Sequence, residues 1–316
     1  MLPRSRHHYG AAIVIATRVG PIELRNPIIA ASGTFGYGSE FANICPPREL
    51  GAVTVKSLAI FAHDGNAPLR TTEGGGGGML NSVGLAGPGI DAWIENELPA
   101  IEASDATTIV SLWGRSIDDY ANAAAKAHTL VGRVAAIELN LSCPNVGGHE
   151  MFAQSTTLTS ATIAACAGPL PIFAKLTAQV ADLVAIARIA IDAGATGLTL
   201  INTLPGLAID TASRRTKLGA GGGGLSGAPI HSIALRSVAE VHRAIPGVPI
   251  IGTGGVSTGE QAVAMLMAGA SAVGIGTATF AEPAATIRIR NEVNEWCKKN
   301  GVENIEELIG SMRWPE

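Results

Sequence analysis

Two lysines interrupt runs of otherwise apolar residues in this sequence. Lys56 ends the run 52–56 (Ala-Val-Thr-Val-Lys), and Lys175 ends the run 171–175 (Pro-Ile-Phe-Ala-Lys). A buried ammonium group is unfavourable unless an anion or a hydrogen-bonding group meets it. Taken separately, each lysine could also extend along a strand end to solvent. Because the two stand at equivalent places in the repeating pattern, they favour an anionic, electron-accepting ligand.

One cysteine lies in a setting that suits acid–base chemistry. Cys143 is in the polar, proline-stiffened segment 140–145 (Asn-Leu-Ser-Cys-Pro-Asn). A free thiol has a pKa of about 8.5 and acts as a base once slightly activated. Cysteines are more often small buried residues, and we interpret Cys45, Cys166 and Cys297 in that way. Neither His149 nor His231 has the spacing of a Cys–His dyad, so the sequence gives no support for a protease-like nucleophile.

Glycines and amides supply the other candidate contacts. Gly254-Gly255 and Gly276-Thr277 follow the last two predicted strands, where backbone N–H groups can approach a phosphate because no Cβ intervenes. The pattern therefore predicts a phosphorylated cofactor. Several asparagines offer donors and acceptors for a flat polar heterocycle or a carboxylate, although any one of them could simply cap a loop; they are Asn81, Asn140, Asn145 and Asn202.

These residues follow short apolar runs that alternate with alanine-rich helical segments. The strands are predicted at 28–32, 52–57, 108–112, 136–141, 171–176, 197–202, 248–252 and 272–276, and the helices at 90–103, 117–130, 157–165, 180–193, 229–244 and 258–267. Eight such units predict a (β/α)₈ TIM barrel, whose active site lies at the carboxyl ends of the strands.

Further elements complete the predicted domain. A hairpin at 13–23 is expected to close the bottom of the barrel, and one or two helices are expected at 284–309. The glycine-rich segments 74–78 and 219–224 are expected to be mobile loops over the site, although such runs are commonly linkers. We expect a single domain over residues 1–316.

Composition excludes several classes of protein. The net charge of -4, without a basic cluster, argues against a nucleic-acid surface. No apolar stretch approaches the roughly 20 residues that span a bilayer. The four cysteines are far apart and form no Cys-x-x-Cys pair, which argues against a metal site, an iron–sulfur cluster or a disulfide framework in this chain. A reduced, cytoplasmic enzyme is therefore expected.

The sequence resembles the dihydroorotate dehydrogenases over nearly its whole length, from about Pro21 to Ile309. The resemblance is carried by segments that occur in the family's order and with similar spacing: 81–85 (Asn-Ser-Val-Gly-Leu), 140–146 (Asn-Leu-Ser-Cys-Pro-Asn-Val), 201–203 (Ile-Asn-Thr), 223–227 (Gly-Gly-Leu-Ser-Gly), 252–255 (Gly-Thr-Gly-Gly) and 276–278 (Gly-Thr-Ala). Cysteine at 143 is similar to the class 1 enzymes, because class 2 enzymes use serine and carry a membrane helix. Segments 31–38 and 206–215 are more similar to the NAD-linked class 1B catalytic subunit than to the fumarate-using class 1A.

The resemblance implies oxidation of (S)-dihydroorotate to orotate in pyrimidine (UMP) biosynthesis. Cys143 would be the general base at C5, while hydride leaves C6 for FMN. FMN would be bound by Ser32, Lys56, Ser57, Ser111, Asn140, Lys175, Ile201, Gly227, Gly254, Gly255, Gly276 and Thr277. The substrate would be bound by Lys56, Asn81, Ser82, Val83, Gly84, Leu85, Asn140, Asn145, Asn202 and Thr203. Ser111 stands where family members often have a flavin-contacting asparagine, and the glycine run before Met79 is longer than usual.

Class 1B enzymes pair this subunit with an electron-transfer subunit that carries FAD and a [2Fe–2S] cluster and reduces NAD. The chain has no cysteine cluster, and its Gly-x-Gly-x-x-Gly spacings, at 219–224 and 222–227, do not directly follow a predicted strand as a dinucleotide motif does. Both features are consistent with a partner that supplies the FAD and the cluster. The resemblance implies a homodimer within a heterotetramer. The alternatives are a fumarate-dependent class 1A enzyme and a flavin barrel of the dihydropyrimidine dehydrogenase type. A Schiff-base lyase that uses Lys175 would leave Cys143 and the asparagines unexplained, and a catalytically inactive flavin-binding protein ranks below it.

Overall fold

Eight parallel strands close into a barrel in the order in which they occur along the chain. The computed structural model describes residues 15–142 and 151–315. The barrel strands are Ile28–Ala30, Ala52–Thr54, Thr108–Leu112, Ala136–Asn140, Ile172–Leu176, Gly197–Leu200, Ile250–Thr253 and Ala272–Ile275. The eighth strand pairs with the first, with Val273 opposite Ile28. The predicted TIM barrel is confirmed.

Helices surround the barrel close to the predicted positions. They are Ile90–Asn96, Leu98–Ala103, Ile117–His128, Thr156–Ala165, Leu183–Asp192, His231–Ala244, Gly259–Ala268, Ala278–Ala281 and Ala285–Asn300, with 3₁₀ turns at Pro47–Glu49, Phe152–Gln154, Ala228–Ile230 and Ile305–Leu308. Ser116, Asp182 and Thr258 cap their helices by accepting from backbone N–H groups three residues later. The helix predicted over 90–103 is instead two, because Pro99 lacks the N–H that would continue the first helix.

A short hairpin closes the bottom of the barrel, as predicted. Its strands, Thr17–Val19 and Ile22–Leu24, pair antiparallel across a turn at Gly20. The buried side chains of Val19, Ile22 and Leu24 pack against the inward residues at the amino ends of the barrel strands, which include Phe173. We call residues 17–24 the plug hairpin.

The prediction of loops for the glycine-rich segments is only partly right, because residues 74–75, 78 and 223–224 belong to strands, whereas 76–77 and 219–222 lie in turns and connections. Four strands at the carboxyl end of the barrel, Thr71–Gly75, Gly78–Asn81, Leu204–Gly206 and Gly223–Gly227, form an antiparallel sheet, which we call the mouth sheet. A second pair, Ile209–Asp210 with Arg215–Thr216, lies in the connection between the last two of these strands. Glycine is required by close packing here, since a Cβ on Gly224 would lie 2.1 Å from Thr203 Oγ1. The strands of this sheet are rich in glycine, so they lack the alternation of apolar and polar side chains by which a strand is predicted from sequence.

Candidate active site

A cavity of about 310 Å³ opens between the carboxyl ends of the barrel strands and the mouth sheet. This volume is in the range of sites for small ligands and cofactors. Most residues that the sequence predicted for a site line it: Ser32, Lys56, Ser57, Asn81, Val83, Gly84, Leu85, Asn140, Lys175, Ile201, Asn202, Thr203, Gly227, Gly254, Gly255, Gly276 and Thr277. The topology therefore brings together residues that are up to 245 positions apart along the chain, as between Ser32 and Thr277.

Hydrogen bonds fix the amide groups on one side of the cavity. Asn140 Nδ2 donates to Ser57 Oγ at 3.0 Å, and Asn202 Nδ2 lies 3.1 Å from Asn140 Oδ1. The backbone N–H of Thr203 donates to Asn202 Oδ1 at 2.8 Å. Ser142 Oγ lies 3.0 Å from Asn202 Nδ2 and donates to the Lys175 carbonyl at 2.8 Å. These contacts hold the polar groups of four strand ends in one arrangement before a ligand binds.

Lys56 presents an ammonium group to the same cavity. Its Nζ lies 5.7 Å from the centre of the Tyr37 ring. Burial lowers the pKa of Lys56, nearby Arg70 lowers it further, and Glu40 partly opposes this shift. Because burial and Arg70 disfavour the positive charge of Lys56, an anionic ligand in the cavity would stabilise the charged form of this lysine.

Lys175 forms a buried ion pair that the sequence analysis did not include. Its Nζ lies 3.6 Å from Oε1 of Glu138, on the neighbouring barrel strand. Ser111 Oγ donates to Oε1 of this carboxylate at 3.1 Å, and Thr199 Oγ1 donates to Oε2 at 3.0 Å. The signal for Glu138 was present, because it interrupts an apolar strand as Lys56 and Lys175 do.

The opposite side of the cavity is built from glycine backbone. A Cβ on Gly276 would make only ordinary van der Waals contacts, the nearest at 3.7 Å, and Gly276 lines the cavity. Gly227, Gly254 and Gly255 have positive φ angles, which favour glycine. His231 Nδ1 lies 3.1 Å from the Gly254 carbonyl and orders this turn. Such an exposed backbone suits the close approach of an anion.

Two predicted contacts fall elsewhere in the structure. Ser111 is buried below the cavity, where its hydroxyl lies 2.9 Å from Ser57 Oγ as well as contacting Glu138. Ser82 follows the mouth sheet, and its Oγ accepts a hydrogen bond from Asn66 Nδ2 at 2.8 Å. Neither is among the residues that line the cavity. Contact of either serine with a ligand stays a prediction. Cys143 and Asn145 lie outside the described residues.

Several lining residues were not predicted from the sequence. They are small or apolar: Ala31, Gly33, Thr34, Thr71, Met79, Ser226, Ile230, Thr253 and Phe280. Thr71 and Met79 belong to the mouth sheet, whose strands the sequence analysis missed. A prediction of these strands would have placed Thr71 and Met79 beside the cavity.

The described residues contain neither a candidate metal-ion site nor a candidate membrane-spanning helix. Over residues 15–142 and 151–315, no group of three or more His, Cys, Asp or Glu side chains could hold a metal ion. No helix within the same ranges has both the length and the apolar character needed to cross a membrane.

Comparison with known proteins identifies the family. The family described as dihydroorotate dehydrogenase matches residues 14–296. Similar proteins include the "Dihydroorotate dehydrogenase B (NAD(+)), catalytic subunit" of Geobacter metallireducens, 40% identical over 95% of this chain and 98% of its own length. The Geobacter sulfurreducens protein of the same name is 40% identical over 94% of this chain and 98% of its own length. A Solibacter usitatus protein, provisionally named dihydroorotate dehydrogenase A (fumarate), is 39% identical over 95% of this chain and 99% of its own length. The chain belongs to the dihydroorotate dehydrogenase family.

Proposed function

We propose that this chain oxidises (S)-dihydroorotate to orotate with FMN, in the biosynthesis of pyrimidines. The observation that carries the proposal is the cavity, which combines a glycine-built anion subsite, two lysines and an ordered set of amides. Relatives that match nearly the full chain bear the name of this activity. Enzymes of the family are flavin-dependent oxidoreductases in general.

The described residues fit FMN. The backbone at Gly254, Gly255, Gly276 and Thr277 has the open approach that a phosphate needs. Lys175 lines the same cavity, where its ammonium group would stabilise the negative charge of a reduced, electron-accepting ring. When bound, FMN would supply the acceptor for the hydride that leaves C6 of the substrate. We assign to its site Ser32, Lys56, Ser57, Asn140, Lys175, Ile201, Gly227, Gly254, Gly255, Gly276 and Thr277.

The remaining polar groups fit the substrate. Orotate and dihydroorotate carry a carboxylate, which Lys56 would meet with its ammonium group. Amides on a rigid frame suit the ring N–H and C=O groups, because each can donate and accept. We assign to substrate binding Lys56, Asn81, Val83, Gly84, Leu85, Asn140, Asn202 and Thr203, with Asn145 as a further contact. Cys143 takes the proton from C5.

For the electron acceptor we propose NAD, reached through a partner subunit that carries FAD and a [2Fe–2S] cluster. The relatives' name "catalytic subunit" refers to proteins that work with a further subunit. The Gly-x-Gly-x-x-Gly spacings of this chain, at 219–224 and 222–227, run into an antiparallel strand of the mouth sheet and do not form the strand-to-helix turn that binds a dinucleotide. We further propose a homodimer of this chain within a heterotetramer, located in the cytoplasm.

Anaerobic addition of dihydroorotate to the purified, FMN-loaded chain tests the proposal. Absorbance of the oxidised flavin should bleach within a turnover, and dihydrouracil should leave it unchanged. Bleaching by dihydrouracil alone would instead indicate an enzyme of the dihydropyrimidine type. The reduced chain should pass electrons poorly to NAD or fumarate when alone. Rapid reoxidation by fumarate would favour the class 1A alternative, and robust NAD reduction would overturn the partner proposal.

A further inference from the structure

Beneath the cavity lies an ion pair that is almost fully removed from solvent. The Lys175 side chain is 8% exposed and the Glu138 side chain 3%. Burying two charges in a barrel interior is expensive, and an apolar pair of similar volume would often be at least as stable. The pair is therefore weak as a stabilising device, and its presence calls for another role.

The carboxylate of Glu138 is held from two further directions. Ser111 donates to one of its oxygens from the third barrel strand, and Thr199 donates to the other from the sixth. Each oxygen thus has a fixed donor, which leaves the carboxylate little freedom to rotate. The negative charge is consequently anchored to the barrel wall and does not follow the lysine.

The contact between the two charges is an ion pair without a short hydrogen bond. A separation of 3.6 Å from Nζ to Oε1 exceeds the usual hydrogen-bond distance. Glu138 therefore compensates the charge of Lys175 without binding one of its N–H groups tightly. Those donors stay available to an atom on the cavity side.

The two charges of the pair lie at different distances from the cavity. Lys175 lines the cavity, whereas Glu138 lies behind it. A ligand in the cavity meets the positive end of the pair first, and the opposite charge is farther away. Such an arrangement favours whichever state of the ligand carries more negative charge.

We propose that Glu138 is a positioning residue that keeps the ammonium group of Lys175 directed at the electron-accepting ligand. The inference rests on the proposed function, because it takes FMN as that ligand. Its consequence is that Glu138 stabilises reduced FMN relative to oxidised FMN, although it touches neither. Ser111 and Thr199 support this role by holding the carboxylate.

The midpoint potential of bound FMN tests the inference. In Glu138→Gln the shape is kept, but the carboxylate that holds the ammonium group of Lys175 in place is lost, so Lys175 no longer presents its charge to the ligand from a fixed position. We expect reduced FMN to lose at least about tenfold in affinity relative to oxidised FMN, which lowers the potential by about 30 mV for this two-electron couple. An unchanged potential, or a higher one, would overturn the inference.

Two further variants separate this role from simple packing. Lys175→Met should lower the potential in the same direction, and the double variant should match Lys175→Met alone, because Glu138 acts through the lysine. Additive shifts would contradict that route. Glu138→Asp keeps the charge one methylene farther away and should fall between wild type and Glu138→Gln. If Glu138→Gln fails to fold, the Asp variant carries the test, and an unshifted potential there would overturn the inference.

The controls distinguish the two proposals. Fluorescence quenching of free FMN by wild-type chain measures binding, and bleaching by dihydroorotate measures reduction. Failure of either in the wild type would contradict the proposed function itself. Binding and bleaching in the wild type, together with an unshifted potential in Glu138→Gln, would contradict only the role of Glu138.

Discussion

The two ends of the barrel are built from the same strands but from opposite kinds of side chain. At the bottom, inward residues such as Ile29 and Phe173 pack against the plug hairpin. At the top, the inward positions two or more residues further along carry Glu138, Asn140 and Lys175, all buried and polar. The fifth strand shows the change within three residues, from Phe173 to Lys175.

This difference separates stability from chemistry. The bottom gains free energy by removing apolar surface from water, whereas the top uses buried polar groups that are satisfied by one another. Changes at the bottom should therefore lower the free energy of unfolding and spare the site. Changes at the top should alter binding or reduction and leave the fold largely intact.

Replacement of Cys143 should give the largest effect at the top. Cys143→Ala removes the proposed general base, so bleaching of the flavin by dihydroorotate should slow by about 10²-fold or more in stopped-flow measurements. Cys166→Ala is the matched control. Burial raises the pKa of the Cys166 thiol to about 12, and Cys166 is not among the residues that line the cavity. Equal rates for Cys143→Ala and wild type would remove the thiol from the mechanism.

The plug hairpin offers the strongest test of the bottom. Leu24→Ala should lower the free energy of unfolding by about 2 kcal/mol, roughly 30-fold in the equilibrium constant, because Leu24 is buried against the barrel. Denaturant titration gives this value, and FMN affinity of the folded fraction should stay at the wild-type level. A large loss of FMN affinity would show that the two ends are coupled.

A single methyl group tests the glycine side of the cavity. Gly276→Ala fits the protein without strain, since the new Cβ would come no closer than 3.7 Å to another atom. The methyl group would occupy space that we assign to the phosphate, so FMN affinity should fall about tenfold. Fluorescence titration measures this loss, while the midpoint of thermal unfolding of the apoprotein should not move. An unchanged affinity would place the phosphate elsewhere.

The smallest expected effect concerns the charge of Lys56. Because its pKa is lowered, the ammonium group loses its proton at a lower pH than an ordinary lysine. Orotate affinity should therefore decline as the pH rises through that range, by about fivefold, as for a partly exposed ion pair. Titration in the Cys143→Ala background avoids ionisation of the thiol. Lys56→Met should bind orotate weakly at every pH, and a pH dependence retained in that variant would assign it to another group.

The sequence predicted the barrel and the strand-end part of the cavity lining for the same reason. Continuous apolar runs such as 108–112 mark strands covered on both faces, and the residues that follow them must lie at one end of the barrel. Polar residues in those places, such as Asn140 and Lys175, could thus be assigned to one site without coordinates. Other lining residues were assigned through the family resemblance: Val83, Gly84, Leu85, Ile201 and Gly227.

Other features depend on contacts between distant residues. The mouth sheet pairs Gly224 with Asn81, and its glycines are fixed by close packing that no local pattern reveals. Ser111 was assigned to FMN through the family resemblance, because it stands where family members often have a flavin-contacting asparagine. In the structure Glu138 and Ser57 engage its hydroxyl. Local sequence gives the end of a strand more readily than the direction of a short polar side chain.

A structure of the purified chain with FMN and orotate tests the central claim most directly. The account predicts the phosphate at the backbone of Gly254, Gly255 and Gly276, the flavin ring against Lys175, and orotate between Lys56 and the asparagine amides. FMN bound outside the ring of strand ends, or orotate on a surface away from the cavity, would contradict it.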